Sequence, residues 1–443
     1  MSIPTTERSA APTTPPSPRV PRPLIAGATV LNRRAGLEWL RSRHGSVFTI
    51  DIPVFGSTVV VADPAVAREV FRAPTDVLES VEQNLGRVLG PNSMFALTGD
   101  RHRRERKLLA PPFHGRRLRA YQDVIASAAR AEMATWPTDR EFATMPSFMR
   151  ITLDVIITAV FGAHGPEFDR LRIVLPRMVE LGSMLAVVPL PHLESLGDHS
   201  PWGRLRRWRR EYDAIVGRLI DAAQRADDLD DRDDVLSMMV ASRYDDGSPM
   251  TRDEIADELL TMLAAGHETT ATTLAWAVER IRRHPALIGR LVAERDAGGS
   301  DLLEATILEV QRARPVIDVT FRTVVAQEAQ LGEWTVRRDQ SVMVGIGLIH
   351  SDPAVWPDPE RFDPDRFVGG RPDLTEWIPF GGGSRRCIGA SFASMELLVV
   401  LQTLLDDLVL EATTHPGERW RPRGVAYAPA RGGRARVTRR HSA

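Results

Sequence analysis

Phe380-Gly381-Gly382-Gly383-Ser384-Arg385-Arg386-Cys387-Ile388-Gly389 stands directly before a helical pattern that runs from about Ile388 to Leu408. Glycines let a backbone wrap closely around something, and the helix start beyond them offers free N–H groups and positive potential. Cys387 lies inside that wrap and is the only cysteine in the 443-residue chain. Such surroundings stabilise a thiolate, the form of the side chain that binds metal. A lone cysteine is more often an inert, small, buried residue, but the glycine wrap and the helix start reverse that reading here. No Gly-Lys-Ser/Thr follows the glycines, so this is not a phosphate loop.

One cysteine rules out a disulfide within the chain and cysteine-rich zinc or iron–sulfur sites, and it suits a reducing, cytoplasmic protein. Acidic and basic residues nearly cancel, 58 against 57. No overall field draws the chain to nucleic acid or an anionic membrane, so no nucleic-acid partner is expected. No stretch reaches the ~18 apolar residues that span a bilayer, and the N-terminus lacks a signal-peptide layout, so no membrane anchor is expected. Residues 1–23 carry seven prolines and read as a disordered tail, leaving 24–443 as the folded part. Lys107 is the only lysine among 57 basic residues. Genome composition explains that bias, and a functional choice of arginine forks holds only at particular positions.

β-Branched runs at Gly45–Ile52 and Ser57–Val61 predict a strand pair. Helical periodicity then dominates from Pro64 to Asp301, with loops at 90–98, 189–202 and 227–234. Strand signals return at 316–325, 330–336 and 341–348, followed by an irregular stretch over 351–375. The arginines at 204, 206, 207, 209 and 210 read as the solvated face of a surface helix, offset by the acidic run 227–234. The pattern predicts an α+β fold, predominantly α-helical, in a single domain with a long central helix and small β-sheets.

That central helix opens on Thr251-Arg252-Asp253-Glu254, a capping box, and stops at His284-Pro285, roughly 32 residues or ~48 Å at 1.5 Å per residue. Within it lies Ala265-Gly266-His267-Glu268-Thr269-Thr270. Thr261, Ala265, Thr269 and Thr273 recur every four residues and present one small, polar face to a large planar group. His267-Glu268 is not a zincin motif, because position 271 is Ala. Glu309-Val310-Gln311-Arg312 puts acid and base on one helix face.

The cysteine decapeptide resembles the haem-ligand loop of the cytochrome P-450 (haem-thiolate) family, Phe-x-x-Gly-x-Arg-x-Cys-x-Gly, with Phe380, Gly383, Arg385, Cys387 and Gly389 all matching. The 265–270 segment and Glu309/Arg312 match two further motifs in the family's order, and the resemblance spans about Pro23 to Gly433. It implies haem b, with Cys387 as the iron ligand and Arg385 reaching a propionate. His102 and Arg106, in the family's His-x-x-x-Arg, and Arg322, after Phe321, are the further propionate contacts it implies. Glu268 and Thr269 become the proton-delivery pair, in a helix that the family often opens locally at this point. Glu309, Arg312 and a third partner, Arg366 of Pro364-Asp365-Arg366-Phe367, look structural, with Arg361 in reserve.

The implied activity is a bacterial-type monooxygenase that inserts one atom of O₂ into an apolar lipid-, steroid- or terpenoid-like molecule. Electrons come from NAD(P)H through a ferredoxin and ferredoxin reductase, or a flavodoxin-like donor. Arg101, Arg103, Arg104, Lys107 and Arg386 form the docking patch for an acidic ferredoxin. The pocket roof falls at 78–96 and 171–196, rich in Leu, Met and Val, and 316–320 lines the pocket with Asp318 facing outward. Two rivals stand: a haem-thiolate isomerase, dehydratase or peroxygenase without external electrons, against which the Glu268-Thr269 pair argues, and a non-catalytic haem ligand-binding protein.

Overall fold

The computed structural model describes residues 13–18, 22–52, 55–80, 83–113, 116–162, 165–187 and 194–440. They fall into two compact units. One draws on Met1–Val81, Val319–Ile349 and Gly382–Arg385; the other on Glu82–Asp318, His350–Gly381 and Arg386–Ala443.

The first unit is built on a five-stranded sheet. Strands Val47–Ile52 and Gly56–Val61 pair antiparallel, Gly56–Val61 runs parallel to Ser341–Val344, and Thr320–Val324 and Leu78–Ser80 complete the order antiparallel. Register places Phe48 opposite Val60, Val60 opposite Met343 and Met343 opposite Phe321. Leu37 and Leu40, one turn apart on helix Arg22–His44, close over Phe48, Val60 and Met343. Each such side chain contributes about 1.5–3 kcal/mol by leaving water.

Three expectations change here. Helix Arg22–His44 begins inside the stretch read as tail, and Pro16 and Thr13 accept backbone hydrogen bonds from Thr49 (2.8 Å) and Thr335 (2.9 Å). Residues 1–12 and 19–21 lie outside the described residues. The strand expected over 330–336 is a hairpin, Glu328–Leu331 with Trp334–Arg337, because Gly332 takes φ +60° and reverses the chain. The strand expected over 341–348 ends at Val344, and Ile346–His350 is a short helix.

The second unit surrounds helix Arg252–Ile281, 30 residues long. Its start is the foreseen capping box: Thr251 Oγ1 accepts from Glu254 N (3.2 Å) and Glu254 Oε2 accepts from Thr251 N (2.8 Å). Leu259, Leu263, Leu274, Trp276 and Val278 are buried on different faces, as in a helix that crosses a core. Helices Met145–Phe161, Arg116–Met133 and Ala390–Asp407 pack in the same hydrophobic cluster. The C-terminal hairpin Trp420–Arg423/Ala426–Pro429 went unforeseen; Arg314 lies over both Trp276 and Trp420, and Trp276 Nε1 donates to the Tyr427 carbonyl (3.1 Å). Trp202, expected in a loop, lies in helix Pro201–Gln224. On that helix Arg204, Arg206, Arg207 and Arg210 are exposed as expected, but Arg209 turns inward to Asp257.

Glu309 and Arg312 sit on helix Asp301–Ala313 with almost no side-chain access to water, 0% and 1%. Arg312 Nε and Nη2 donate to the two Glu309 oxygens (2.6 and 2.7 Å), Nη1 to the His350 carbonyl (2.8 Å) and Nη2 to the Pro359 carbonyl (2.9 Å). Asp363 N donates to Glu309 Oε1 (2.9 Å), and Arg366 Nε stands 3.8 Å from the same oxygen. Arg361 is exposed beside Asp363, and Asp365 pairs instead with Arg290. Removing one member strands a buried charge, so Glu309→Ala should cost about 3–5 kcal/mol. Denaturant unfolding checks this, and a loss under about 1 kcal/mol would remove Glu309 from the structural role.

Candidate functional site

The cysteine loop is held from both ends. Gly383 takes φ +65°, and a Cβ there would run into the Phe71 carbonyl on helix Pro64–Arg72, so only glycine lets the loop lie on that helix. Cys387 N donates to the Phe380 carbonyl (2.9 Å), closing the turn. Ile378 N donates to His350 Nε2 (2.9 Å) and Trp377 Nε1 to the Leu308 carbonyl (3.1 Å), tying the approach to the Glu309–Arg312 region. Helix Ala390–Asp407 follows with Gly389 as its N-cap.

Cys387 is accessible to solvent, yet protein surrounds it closely enough for desolvation to raise the thiol pKa. A Gly389 backbone contact, Arg386 and Arg106 pull the other way. The sulfur therefore sits among groups that favour its anion, and a coordinated metal ion removes the proton outright. Arg106 lies on helix Gly99–Leu109, whose buried face also carries His102 and Glu105.

On the long helix Ala265 is exposed and Ala264, Gly266 and Thr269 are partly so, interrupting an otherwise buried run. The side chains on that surface are all small. That surface, one thiol and the cations beside the sulfur fit a haem held through Cys387. The helix itself is unbroken, contrary to the expected opening, and the Thr269, Thr272 and Thr273 hydroxyls are taken up by the Ala265, Glu268 and Thr269 carbonyls (2.8, 2.7 and 2.9 Å).

Glu268 turns away from solvent and is buried. Its Oε1 accepts from Arg423 Nε on the C-terminal hairpin (2.5 Å), and Arg423 Nη1 stands 3.7 Å from Glu180 on helix Pro166–Val187. Burial raises the Glu268 pKa above its ordinary value, and Arg423 offsets only part of this. Glu396 is buried on helix Ala390–Asp407, where desolvation holds its pKa well up against a hydrogen bond with Thr270.

Arg322 and Arg385 belong to the sheet unit. Arg322 is buried in strand Thr320–Val324 and donates to the Phe321 carbonyl (2.8 Å); Arg385 Nη2 donates to Glu79 Oε1 (2.7 Å) on strand Leu78–Ser80. Asp318, expected to face outward, is buried. In the expected roof, Met178, Leu181 and Leu185 are packed in the core and Met184 is exposed, while 188–193 lie outside the described residues. Of the patch cations, Lys107 pairs with Asp245 (2.7 Å), Arg103 with Asp100, and Arg104 lies over Tyr244. Sequence reading missed Arg423, Glu79, Glu180 and Glu396. Only Glu396 carried a signal, as one acid in the apolar run 395–405.

A mostly helical fold that presents a lone, cation-flanked cysteine ahead of a helix, with an acid–alcohol pair on a long central helix, agrees with the resemblance to haem-thiolate proteins. The cytochrome P450 family model matches residues 15–423, and the chain belongs to that family. It is 51% identical over 426 residues to the Mycobacterium tuberculosis protein named "Putative cytochrome P450 138", covering 96% of each. Over 436 residues it is 40% identical to "Putative cytochrome P450 135B1" of Mycobacterium bovis, covering 96% of this chain and 91% of that one. The structure titled "Retinoic acid bound cyanobacterial CYP120A1" shares the fold at TM-score 0.84 and 24% identity, over 97% of this chain and 100% of that one. Membership brings haem iron as cofactor and monooxygenation as the general class of activity. No helix among the described residues is long and apolar enough to cross a membrane.

His267 beside the pair supplies a pH test. Burial first, against a hydrogen bond between Nδ1 and the Leu263 carbonyl (2.9 Å), lowers its pKa from 6.5 to about 4. The unfolded chain takes up a proton below 6.5 that the folded chain refuses. The stabilisation is therefore fully present above pH 6.5 and lost as pH falls through 4. At 1.36 kcal/mol per pKa step this reaches about 3 kcal/mol. Unfolding free energies of wild type and His267→Gln at pH 7 and pH 4.5 should differ by less at the lower pH through a shallower slope in the variant. Parallel slopes would exclude His267 as the source.

Proposed function

We propose that this P450 transfers one oxygen atom from O₂ to an apolar small molecule of lipid, steroid or terpenoid type, in the cytoplasm. The balance is RH + O₂ + NAD(P)H + H⁺ giving ROH + H₂O + NAD(P)⁺, with a ferredoxin and its reductase, or a flavodoxin-like donor, carrying the electrons. The observation that carries this reading is Cys387 in its closed, cation-flanked turn, on the same unit as Glu268 and Thr269. Haem held by Cys387 supplies reductive O₂ activation, which a thiolate ligand favours. By the resemblance, His102 and Arg106 would hold its propionates, Phe380 and Gly389 would belong to the loop that carries it and Ala265 would face it; Arg322, Gly383 and Arg385 are the sheet unit's residues in the same family motifs.

The chain's own groups divide the remaining work. Thr269 holds a hydroxyl at the accessible point of the long helix, with its proton on the Ala265 carbonyl until a better acceptor arrives. Arg423 draws the Glu268 pKa down against burial; movement of Arg423 toward Glu180 leaves burial less opposed, favours the acid form further, and lets the carboxyl take up the proton it is to deliver. The exposed cations Arg101, Arg103 and Arg104, with Lys107 and the partly exposed Arg386, suit an acidic redox partner whose on-rate falls with salt. An apolar substrate agrees with the retinoic acid bound by the cyanobacterial neighbour of the same fold. The intact Glu268-Thr269 pair favours oxygen activation over isomerase or peroxygenase chemistry.

Reduced protein with CO should show the strongly red-shifted Soret band of thiolate ligation, and Cys387→Ala should abolish it. Retention of the band in that variant would overturn the assignment, since no second cysteine exists. Thr269→Ala should keep haem and ligand binding but divert NAD(P)H into peroxide, lowering product per NAD(P)H on the order of tenfold. Unchanged coupling, measured with a surrogate ferredoxin system, would remove Thr269 from proton delivery.

A further inference from the structure

Asp257, in the second turn of the long helix, gathers contacts from two other elements of the same unit. Its side chain is 3% accessible. Oδ2 accepts from Asn92 N (3.0 Å) and Asn92 Nδ2 (3.1 Å), and Oδ1 pairs with Arg209 Nη2 of helix Pro201–Gln224. Arg209 Nη1 donates to the Leu89 carbonyl (2.9 Å), and the Ser93 and Thr261 hydroxyls lie 2.7 Å apart. Gly90 takes φ +116°, and a Cβ there would fall inside the Asp257 carboxylate. Segment 89–93 is therefore stitched to both helices, and six residues further on the chain enters helix Gly99–Leu109 with His102 and Arg106.

Two features distinguish this ion pair from a permanent one. Arg209 is 24% accessible and opens on a cleft lined by Pro91, Asn92, Gly217 and Arg252, so water reaches one side of the pair. Glu309–Arg312, by contrast, is sealed. Arg209 Nε also holds Asp213 Oδ1 (2.7 Å), four residues along the same helix and 44% accessible. When Arg209 lets go of Asp257 it keeps a partner, and Asp257 meets water from the cleft. The guanidinium holds both carboxylates at once, so an excursion that breaks the Asp257 contact leaves it anchored on Asp213.

We propose that Asp257 and Arg209 form a latch that holds segment 89–98 closed over the substrate cavity, and that latch opening sets the rate at which an apolar ligand enters and leaves. The proposal rests on the haem-monooxygenase reading and on 78–96 forming part of the pocket roof. A latch changes entry and exit together and leaves affinity nearly constant, whereas a direct contact changes exit alone.

Stopped-flow Soret shifts of the haem-loaded protein with 4-phenylimidazole read both rates. Asp257→Asn should raise association and dissociation about tenfold each, equivalent to ~1.4 kcal/mol off the opening barrier, with Kd moving less than about twofold. Asp213→Asn, which removes the fallback partner, should slow both rates a few-fold, a sign that general loosening of the fold does not produce. Unchanged rates in both variants, or a change confined to dissociation, would overturn the latch. Amide hydrogen exchange across 89–98, read without ligand, should quicken about tenfold in Asp257→Asn and in the milder Asn92→Ala, while protection of Arg116–Met133 stays constant. Equal exchange in wild type and both variants refutes the latch even where Asp257→Asn loads haem poorly. Absence of any Soret shift in wild type would count instead against the haem-thiolate reading, with the exchange measurement still deciding the latch.

Discussion

An arginine and a glutamate sealed from water, Arg312 and Glu309, fix the path of the chain that delivers Cys387. The three guanidinium nitrogens share the work: Nε and Nη2 grip the carboxylate, Nη2 also reaches the Pro359 carbonyl, and Nη1 reaches the His350 carbonyl. His350 in turn receives Ile378 N, two residues before the loop begins at Phe380. The irregular stretch 351–375 has little regular secondary structure to position it, so side-chain-to-backbone bonds take over that role. Desolvating such a pair is costly, and apolar residues of similar volume often serve stability better. Its use here is therefore best understood as positional: it converts a flexible, proline-rich connection into a fixed mount for the thiol.

The same contrast between sealed and accessible charge runs along the long helix. Asp257, Glu258, Glu268 and Glu279 are all buried on it. Glu279 is held by Arg280 and Arg283 and by Glu418 N, and its pKa is lowered even against burial. Among the described residues no arginine stands against Glu258, and burial and the nearby Glu105 raise its pKa well above the ordinary value. Glu268 lies between these extremes, raised by burial and drawn down by one partly exposed arginine. A carboxyl poised this way changes protonation with a small movement of its partner, whereas Glu279 does not. Along one helix, the number and exposure of the arginines thus separate a carboxyl whose pKa is drawn down from one whose pKa stays raised.

What the sequence disclosed follows from the range over which each feature acts. The capping box and the Glu309/Arg312 spacing are local, within four residues, and follow from helix geometry; the glycine at 383 was legible as part of a motif, although what requires it is the distant Phe71 carbonyl. The helix Arg22–His44 was obscured because the proline-rich residues before it set the reading of the whole stretch, and its apolar period is weak. The C-terminal strands are two to four residues long, too short to show a period; Trp420–Arg423 and Ala426–Pro429 form a local hairpin, and Arg434–Ala435 pairs far back with Phe142–Ala143. Arg423 was hidden for another reason: it is one of 56 arginines, and nothing adjacent to it marks its partner 155 residues away.

That arginine excess nonetheless acquires physical content at specific places. Arg312 satisfies a carboxylate and two carbonyls at once; Arg209 bridges two carboxylates and the Leu89 carbonyl; Arg282 reaches Glu141 together with the Glu411 and Arg434 carbonyls. Lysine has three donors on one compact atom and cannot span acceptors that lie in different directions around a plane. By contrast Arg204, Arg206, Arg207 and Arg210 point into solvent, where lysine would do as well. Composition set the supply of arginine, and the fold uses the fork only where one side chain must join three segments of chain. The sole lysine, Lys107, makes a single exposed contact with Asp245, the one kind of task that a point charge performs equally well.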